Sequence, residues 1–481
     1  MKIHLAGRPG YQLRHSINNT PPPDKKLLDI AVGVRPAEGA EVPSETEVAR
    51  IGRYKLVSFP LANAGQEGAP PRSTPLIARR RGAAREELGS TERVGLDTAI
   101  WTRARFGAPP VPKSRGLALV ETPTEESVLP PPLVPLIEVL GRIGALEAAG
   151  VIPAKAEGQP IVVAVIDVGF HRTEDFEFAE DSRVGPIEFV AFPREEKHAP
   201  SRDSHGNRMI GALFSALSLR QEGPPFLIRR IEIPKDSSYL GPMDVALAVA
   251  RAVAPADNGL AATPAADVVY IPLSSGAWGM PLPLDVVLTE AARVGRNQLG
   301  AVILCSSGQH GDNIPVEGDL EFPFDSVAIG ADELGAHPDT FVVTACDLNG
   351  QWLRLGRHNP PMGAPDSPGP KLRRDMGIAG RMGPSVGVAA PGVVTMLPVR
   401  PGHTPLDADG TSLASSLVAA AAARVLQANG QLDAVQVRRI LRRTADVPHA
   451  VDRDCGEEAA ANSSLDRSGH NFKIGTGMVN V

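Results

Sequence analysis

From Pro160 onward apolar residues gather in short unbroken runs, whereas upstream they are scattered among prolines and charges. Ile161-Val162-Val163-Ala164-Val165-Ile166 has no polar break and is rich in β-branched side chains. That pattern predicts a parallel strand buried on both faces. Similar runs recur at Val268–Leu273, Ala301–Leu304, Ser326–Ile329 and Phe341–Ala345. Between them lie helix-like stretches, Pro242–Ala254 and Leu284–Leu299, and a further apolar, Ala-rich stretch spans Leu413–Leu426. Strand–helix alternation of this kind predicts an α/β fold with a doubly wound, mostly parallel sheet. In such sheets functional groups collect beyond the carboxyl ends of the strands. Upstream, Leu136, Val139, Leu140, Ile143 and Leu146 fall at helical spacing, so Leu133–Ala149 reads as an amphipathic helix.

Charge follows the same division. Residues 1–155 hold 21 Lys/Arg and 16 Asp/Glu, a net of +5, whereas the remaining 28 and 39 give −11. The first part also carries 19 of the 46 prolines, including Pro21-Pro22-Pro23 and Pro130-Pro131-Pro132. It therefore reads as a Pro-rich extension or small domain of extended segments and short strands, with a large domain over 156–481. The net charge of −6 over 481 residues and the 4% aromatic content argue against nucleic-acid binding as the main activity. The basic knot Arg79-Arg80-Arg81 is the one feature in its favour. Cys305, Cys346 and Cys455 are too far apart to suggest a metal site or a disulfide framework. No leader-type apolar stretch and no run of about 18 apolar residues is apparent, so a cytoplasmic setting without a membrane anchor is expected.

Three short motifs carry candidate chemistry. Val165-Ile166-Asp167-Val168-Gly169 places an acid where a buried strand gives out. Asp203-Ser204-His205-Gly206-Asn207 places a histidine at a Gly-containing turn that opens an apolar helix. Gly410-Thr411-Ser412-Leu413-Ala414-Ser415 leads into the Ala-rich helix. A serine nucleophile needs a histidine to take its proton, and the histidine needs a carboxylate to fix its tautomer. Small residues around Ser412 let a substrate approach the backbone, and a helix N-terminus favours developing negative charge. Each motif alone is an ordinary cap or turn; the three together are specific.

With these motifs, roughly Leu146–Val481 resembles the subtilisin-like serine peptidases, the subtilase family. Val388-Ala389-Ala390-Pro391-Gly392 resembles the family's Ala-Pro-Gly segment, and Gly475-Thr476-Gly477-Met478-Val479-Asn480 its closing Gly-x-Gly turn. The resemblance implies a subtilisin-like fold and a serine endopeptidase acting on a peptide or protein substrate. It makes Asp167 the orienting acid, His205 the general base and acid, and Ser412 the nucleophile, with an acyl-enzyme on Ser412. Gln309, in Ser307-Gly308-Gln309-His310-Gly311, takes the place of the family's oxyanion-hole Asn, with the Ser412 N–H as the other donor. The family's substrate-binding strand corresponds to Pro272-Leu273-Ser274-Ser275, followed by Gly276-Ala277-Trp278, so Leu273, Ser274, Ser275 and Gly276 are the expected substrate contacts. No metal ligands and no cofactor follow from the residues, and calcium is implied by the resemblance alone.

Two departures bear on activity. Gln309 carries the amide on one more methylene than Asn, and Pro272 has no N–H to offer an extended substrate. The alternative reading is therefore a catalytically silent subtilase fold used as a binding module or scaffold. Gln351–Gly383 is a Gly/Pro/Arg-rich stretch, read either as a solvated loop or as a lid or partner-docking loop. Residues 1–155 suit either a removable prosegment or a protein-partner recognition region.

Overall fold

The run at Ile161 becomes the middle of the main sheet. The structure is a computed structural model that describes residues 30–36, 38, 46–60, 133–148, 160–170, 173–190, 204–219, 225–233, 242–273, 282–308, 337–350, 352–355, 378–379, 386–403, 406–446 and 474–480. In chain order, strands β1 (Ile30–Pro36), β2 (Thr46–Ile51), β3 (Tyr54–Pro60) and β4 (Val134–Pro135) precede helices α1 (Leu136–Arg142) and α2 (Ala145–Ala148). Then follow β5 (Ile161–Asp167), β6 (Val184–Phe189), α3 (His205–Ser218), β7 (Phe226–Glu232), α4 (Pro242–Val253) and β8 (Val268–Ile271). The chain continues with α5 (Leu282–Gln298), β9 (Val302–Ser306), β10 (Thr340–Cys346), β11 (Arg354–Leu355), β12 (Ile378–Ala379) and β13 (Val386–Pro391). The last described elements are β14 (Thr395–Leu397), β15 (Leu406–Ala408), α6 (Gly410–Ala428) and α7 (Ala434–Arg443).

Seven strands form the main sheet in the order β13-β10-β9-β8-β5-β7-β6, and every neighbouring pair is parallel. All seven residues of β5 are buried, as its unbroken apolar run requires. Its alternate side chains divide between two cores. Ile161, Val163 and Val165 face a core shared with α1, α3, α6 and α7, whereas Val162, Ala164 and Ile166 face one shared with α4 and α5. The sheet is thus doubly wound, as the alternation predicts. After β5 the chain moves out to β6 and β7, then crosses to β8 on the other side of β5. That reversal creates a crevice beyond the carboxyl ends of β5 and β8, where α/β sheets take their ligands.

Several sequence expectations are corrected in detail. The helix expected over Leu133–Ala149 is interrupted, because Gly144 adopts φ +72° between α1 and α2, and Val134–Pro135 is instead a strand paired with β14. The helix expected over Leu284–Leu299 loses helical geometry at Gly295–Asn297, where Arg296 and Asn297 take left-handed conformations. Strands β6 and β7 have no apolar run to mark them, since Gly185-Pro186 and Arg229-Arg230 interrupt them. The Arg229 guanidinium is buried yet matched, with its Nε and Nη2 on the Glu188 carboxylate at 2.9 and 2.8 Å and Nη1 on two backbone carbonyls. The expected strand at Ser326–Ile329 lies outside the described residues.

Parts of the first 155 residues enter these cores. Ala49, Ile51 and Leu56 of the β2–β3 hairpin are buried against α4 and α5. Asn258 fastens the hairpin by exchanging bonds with Arg50, its amide Nδ2 donating to the carbonyl and its Oδ1 accepting from the N–H, both at 2.8 Å. Leu136, Val139, Leu140 and Ile143 join the other core. Within Gln351–Gly383, Arg354–Leu355 and Ile378–Ala379 pair antiparallel; the residues between them lie outside the described set. Among the described residues, no helix is long and apolar enough to cross a membrane.

Candidate active site

Asp167 ends β5, at the crevice side of the central strand. Its side chain is fully buried, and its Oδ1 accepts the Val168 N–H at 2.7 Å. His205 opens α3, and its Nδ1 lies 2.8 Å from Asp167 Oδ2 and 3.0 Å from Oδ1. A carboxylate accepts only, so Nδ1 carries the proton and the neutral ring leaves Nε2 as its acceptor. The sequence locks this approach through Gly206. Its N–H donates to Val168 O at 2.9 Å, and a Cβ there would stand 2.5 Å from the Phe170 ring. Beside the pair, Glu232 at the end of β7 stands opposite Asp167 in register, and its Oε1 accepts the Gly169 N–H at 3.3 Å. Glu232 was not legible as part of the site, because its place comes from strand pairing.

Ser412 sits in the first turn of α6, whose N–H groups have no intrahelical acceptors. Gly410 makes the sharp entry to this helix with φ +75° and donates to Gly392 O at 2.7 Å. A Cβ on Gly392 would meet Ala345 Cβ and Gly410 O, both at 2.6 Å. This close approach is the structural reason for glycine after Ala390-Pro391. The Gly475–Asn480 turn continues the arrangement, with Ala389 N–H donating to Gly477 O and Val479 N–H to Ala389 O, both at 2.8 Å.

The Ser412 hydroxyl is 3.0 Å from Pro272 O, to which it donates, and the serine is 8% exposed. A hydroxyl has one proton, so in this state the Ser412 O–H is directed at the carbonyl of Pro272 and not at His205. The sequence drew attention to Pro272 for its missing N–H; the structure shows its carbonyl as the acceptor. Tyr270, unnoticed within its apolar run, donates its phenol hydroxyl to Ser412 O at 2.7 Å. Leu273 is buried in the core shared with α4 and α5. Gln309, Ser274, Ser275 and Gly276 lie outside the described residues. Among the described residues, no group of three or more His, Cys, Asp or Glu side chains is placed to hold a metal ion. Cys305 and Cys346 are buried, and burial pushes the Cys346 thiol far above its usual pKa.

The fold and this geometry define a class: a doubly wound α/β protein with a paired acid and histidine and a helix-opening serine around its switch-point crevice. The comparisons place it further. The Subtilase family model, Peptidase S8, matches residues 158–477, and the chain belongs to that family of serine peptidases. Among solved structures it is similar to a serine protease, MycP1, an essential component of the type VII (ESX-1) secretion system. That match has 16% identity and a TM-score of 0.43, covering 75% of this chain and 89% of that one. It is also similar to the MycP3 protease from the type VII (ESX-3) secretion system, with 21% identity and a TM-score of 0.42, covering 74% and 88%. A search of the curated proteins finds no match.

Proposed function

We propose that the chain is a serine endopeptidase that cleaves a peptide or protein substrate through an acyl-enzyme on Ser412. The observation that carries the reading is the Asp167–His205 pair at 2.8 Å at the end of β5, with the Ser412 hydroxyl on Pro272 O just past the end of the neighbouring strand β8. The Ser412 hydroxyl turns from Pro272 O to His205 Nε2 and gives up its proton as Oγ attacks the scissile carbonyl. His205, held by Asp167, then hands that proton to the leaving amine. Water repeats the sequence in reverse roles, releasing the second product and restoring the serine. The Ser412 N–H, at the positive end of α6, stabilises the oxyanion, and Gln309 is the expected second donor.

The test is the intact mass before and after treatment with a fluorophosphonate serine probe. A single adduct that disappears in Ser412→Ala supports the assignment; an adduct that persists in that variant removes Ser412 from it. A second reading, a silent subtilase scaffold, is favoured by one observation, the Ser412 hydroxyl donating to Pro272 O. A folded chain that takes up no probe at all supports that reading instead.

The same mass spectrum addresses residues 1–155. Ile51 and Leu56 have no exposed surface, so excising the hairpin would open the core against α4 and α5. That favours a retained, partner-recognising segment over a prosegment that is cut away. A chain found active and shortened past residue 60 would reverse this preference.

A further inference from the structure

The bond from Tyr270 to Ser412 has a consequence for the site. Tyr270 is fully buried on β8 and pairs in register with Val165 of β5, two residues before Asp167. Its phenol donates to Ser412 O at 2.7 Å, an oxygen that the Ser415 and Ser416 hydroxyls of the same helix also reach at 2.9 and 3.3 Å, and the Ser415 hydroxyl lies 3.3 Å from the phenol oxygen. One covalent strand therefore separates the acid from Val165, one ladder step separates Val165 from Tyr270, and one hydrogen bond separates Tyr270 from the serine. Ladder steps are fixed at about 4.8 Å. On the far side Gly410 N–H holds the helix entry to Gly392 O at 2.7 Å, and beyond Ser412 α6 lies on the sheet through Leu413, Ala414, Leu417 and the alanines that follow. Such dispersion contacts are non-directional and do not by themselves set a helix's position to a fraction of an ångström.

Two bonds from this part of the chain reach Ser412: the phenol on its carbonyl, and its own hydroxyl on Pro272 O. The second must break when the serine reacts. The first persists. We infer that Tyr270 is a positioning residue for Ser412: its phenol ties the first turn of α6 to β8 and so sets where the serine stands relative to the Asp167–His205 pair. The assignment rests on the reading of Ser412 as nucleophile. Burial pushes the phenol pKa far above its ordinary value of 10, so the hydroxyl remains a donor through any working pH. The aromatic ring suits the task, because its two torsions are locked by packing and leave the hydroxyl little freedom.

The experiment compares wild type, Tyr270→Phe and Ser415→Ala in the full chain, with a fluorophosphonate as the probe. Maximal inactivation rate, half-saturating probe concentration, the pH midpoint of labelling and the thermal midpoint are all measured, with labelling done well below unfolding. Tyr270→Phe is expected to lower the maximal rate about tenfold, since small misplacements of reacting groups cost one to two powers of ten. The half-saturating concentration and the pH midpoint should stay where they are, because the pocket and the Asp167–His205 pair are untouched. Ser415→Ala removes a bond to Ser412 O made from within α6, 2.9 Å, but keeps the phenol that ties the helix to β8, and should stay within about threefold of wild type. A Tyr270→Phe rate within twofold of wild type overturns the assignment, as does a shifted pH midpoint or an equal loss in Ser415→Ala. A wild-type chain that never labels overturns it together with the nucleophile reading, whereas a labelled wild type with an unimpaired Tyr270→Phe overturns it alone.

Discussion

Gly206→Ala is the sharpest test of how His205 is held. A Cβ at this position would stand 2.5 and 2.7 Å from Phe170 ring atoms and 2.9 Å from Val168 O. The ring is fully buried and part of the core beneath α3, and the oxygen belongs to the backbone that already accepts the Gly206 N–H. Neither can retreat cheaply. Overpacking of this kind costs about 1–3 kcal/mol. Alanine in place of glycine in a helix returns up to about 1 kcal/mol, so packing wins and the net loss is about 1–2 kcal/mol. In a domain of this size that lowers the unfolding midpoint by roughly 1.5–3 °C. The larger effect falls on chemistry. Relief of the clash moves the start of α3 away from β5, lengthening the His205–Asp167 bond, and a shift near 1 Å costs about 100-fold in rate. Calorimetry and the rate of fluorophosphonate labelling measure the two effects on one sample. Gly430→Ala serves as control, since its Cβ would meet nothing closer than Leu426 O at 3.7 Å. An unchanged midpoint together with wild-type labelling in Gly206→Ala would refute the claim that this glycine sets the histidine's position.

Three further outcomes are expected. Asp167→Asn should keep the fold but slow fluorophosphonate labelling by about 10⁴-fold, because an amide can hold His205 in the wrong tautomer; a loss under tenfold would remove Asp167 from the site. Arg424→Met should lower stability by about 3 kcal/mol in chemical denaturation. Its guanidinium Nη2 caps the end of α3 at Leu217 O, 2.8 Å, and Leu219 O, 2.6 Å, and those buried acceptors would lose their donor. A midpoint within error of wild type would show the cap to be dispensable. Arg183 forms a bidentate pair with Asp181, and this bond holds the Asp181 carboxyl below its usual pKa near 3.8. A depressed folded value adds stability above pH 4 that is lost as pH falls through it, so Asp181→Asn should flatten the acid limb of the stability curve; an unchanged acid limb would refute it.

The legibility of the site follows the range of the forces involved. The strands at Ile161, Val268, Val302 and Thr340 show themselves because a strand buried on both faces is apolar at most positions, which is a local signature. Strands β6 and β7 hide because the charge of Arg229 is matched only by Glu188 on the neighbouring strand. Read alone, Arg229-Arg230 looks like a surface turn. The Leu133–Ala149 periodicity is real, yet Gly144 breaks it with a left-handed conformation that apolar spacing does not register.

The motifs at Asp167, His205 and Ser412 are equally local, since the glycines at 206, 392 and 410 answer to close approaches and a positive φ that only glycine tolerates. By itself, then, the sequence determined the α/β class, the three candidate catalytic side chains and the family resemblance. Only the tertiary structure decided which strands stand beside β5, that Nδ1 of His205 reaches the Asp167 carboxylate, and that the Ser412 hydroxyl donates to Pro272 O. It also decided the part played by Tyr270, which is joined to Ser412 across 142 positions of sequence. Apolar runs and glycine turns are written residue by residue, but a hydrogen bond between distant segments exists only after the sheet has chosen its strand order.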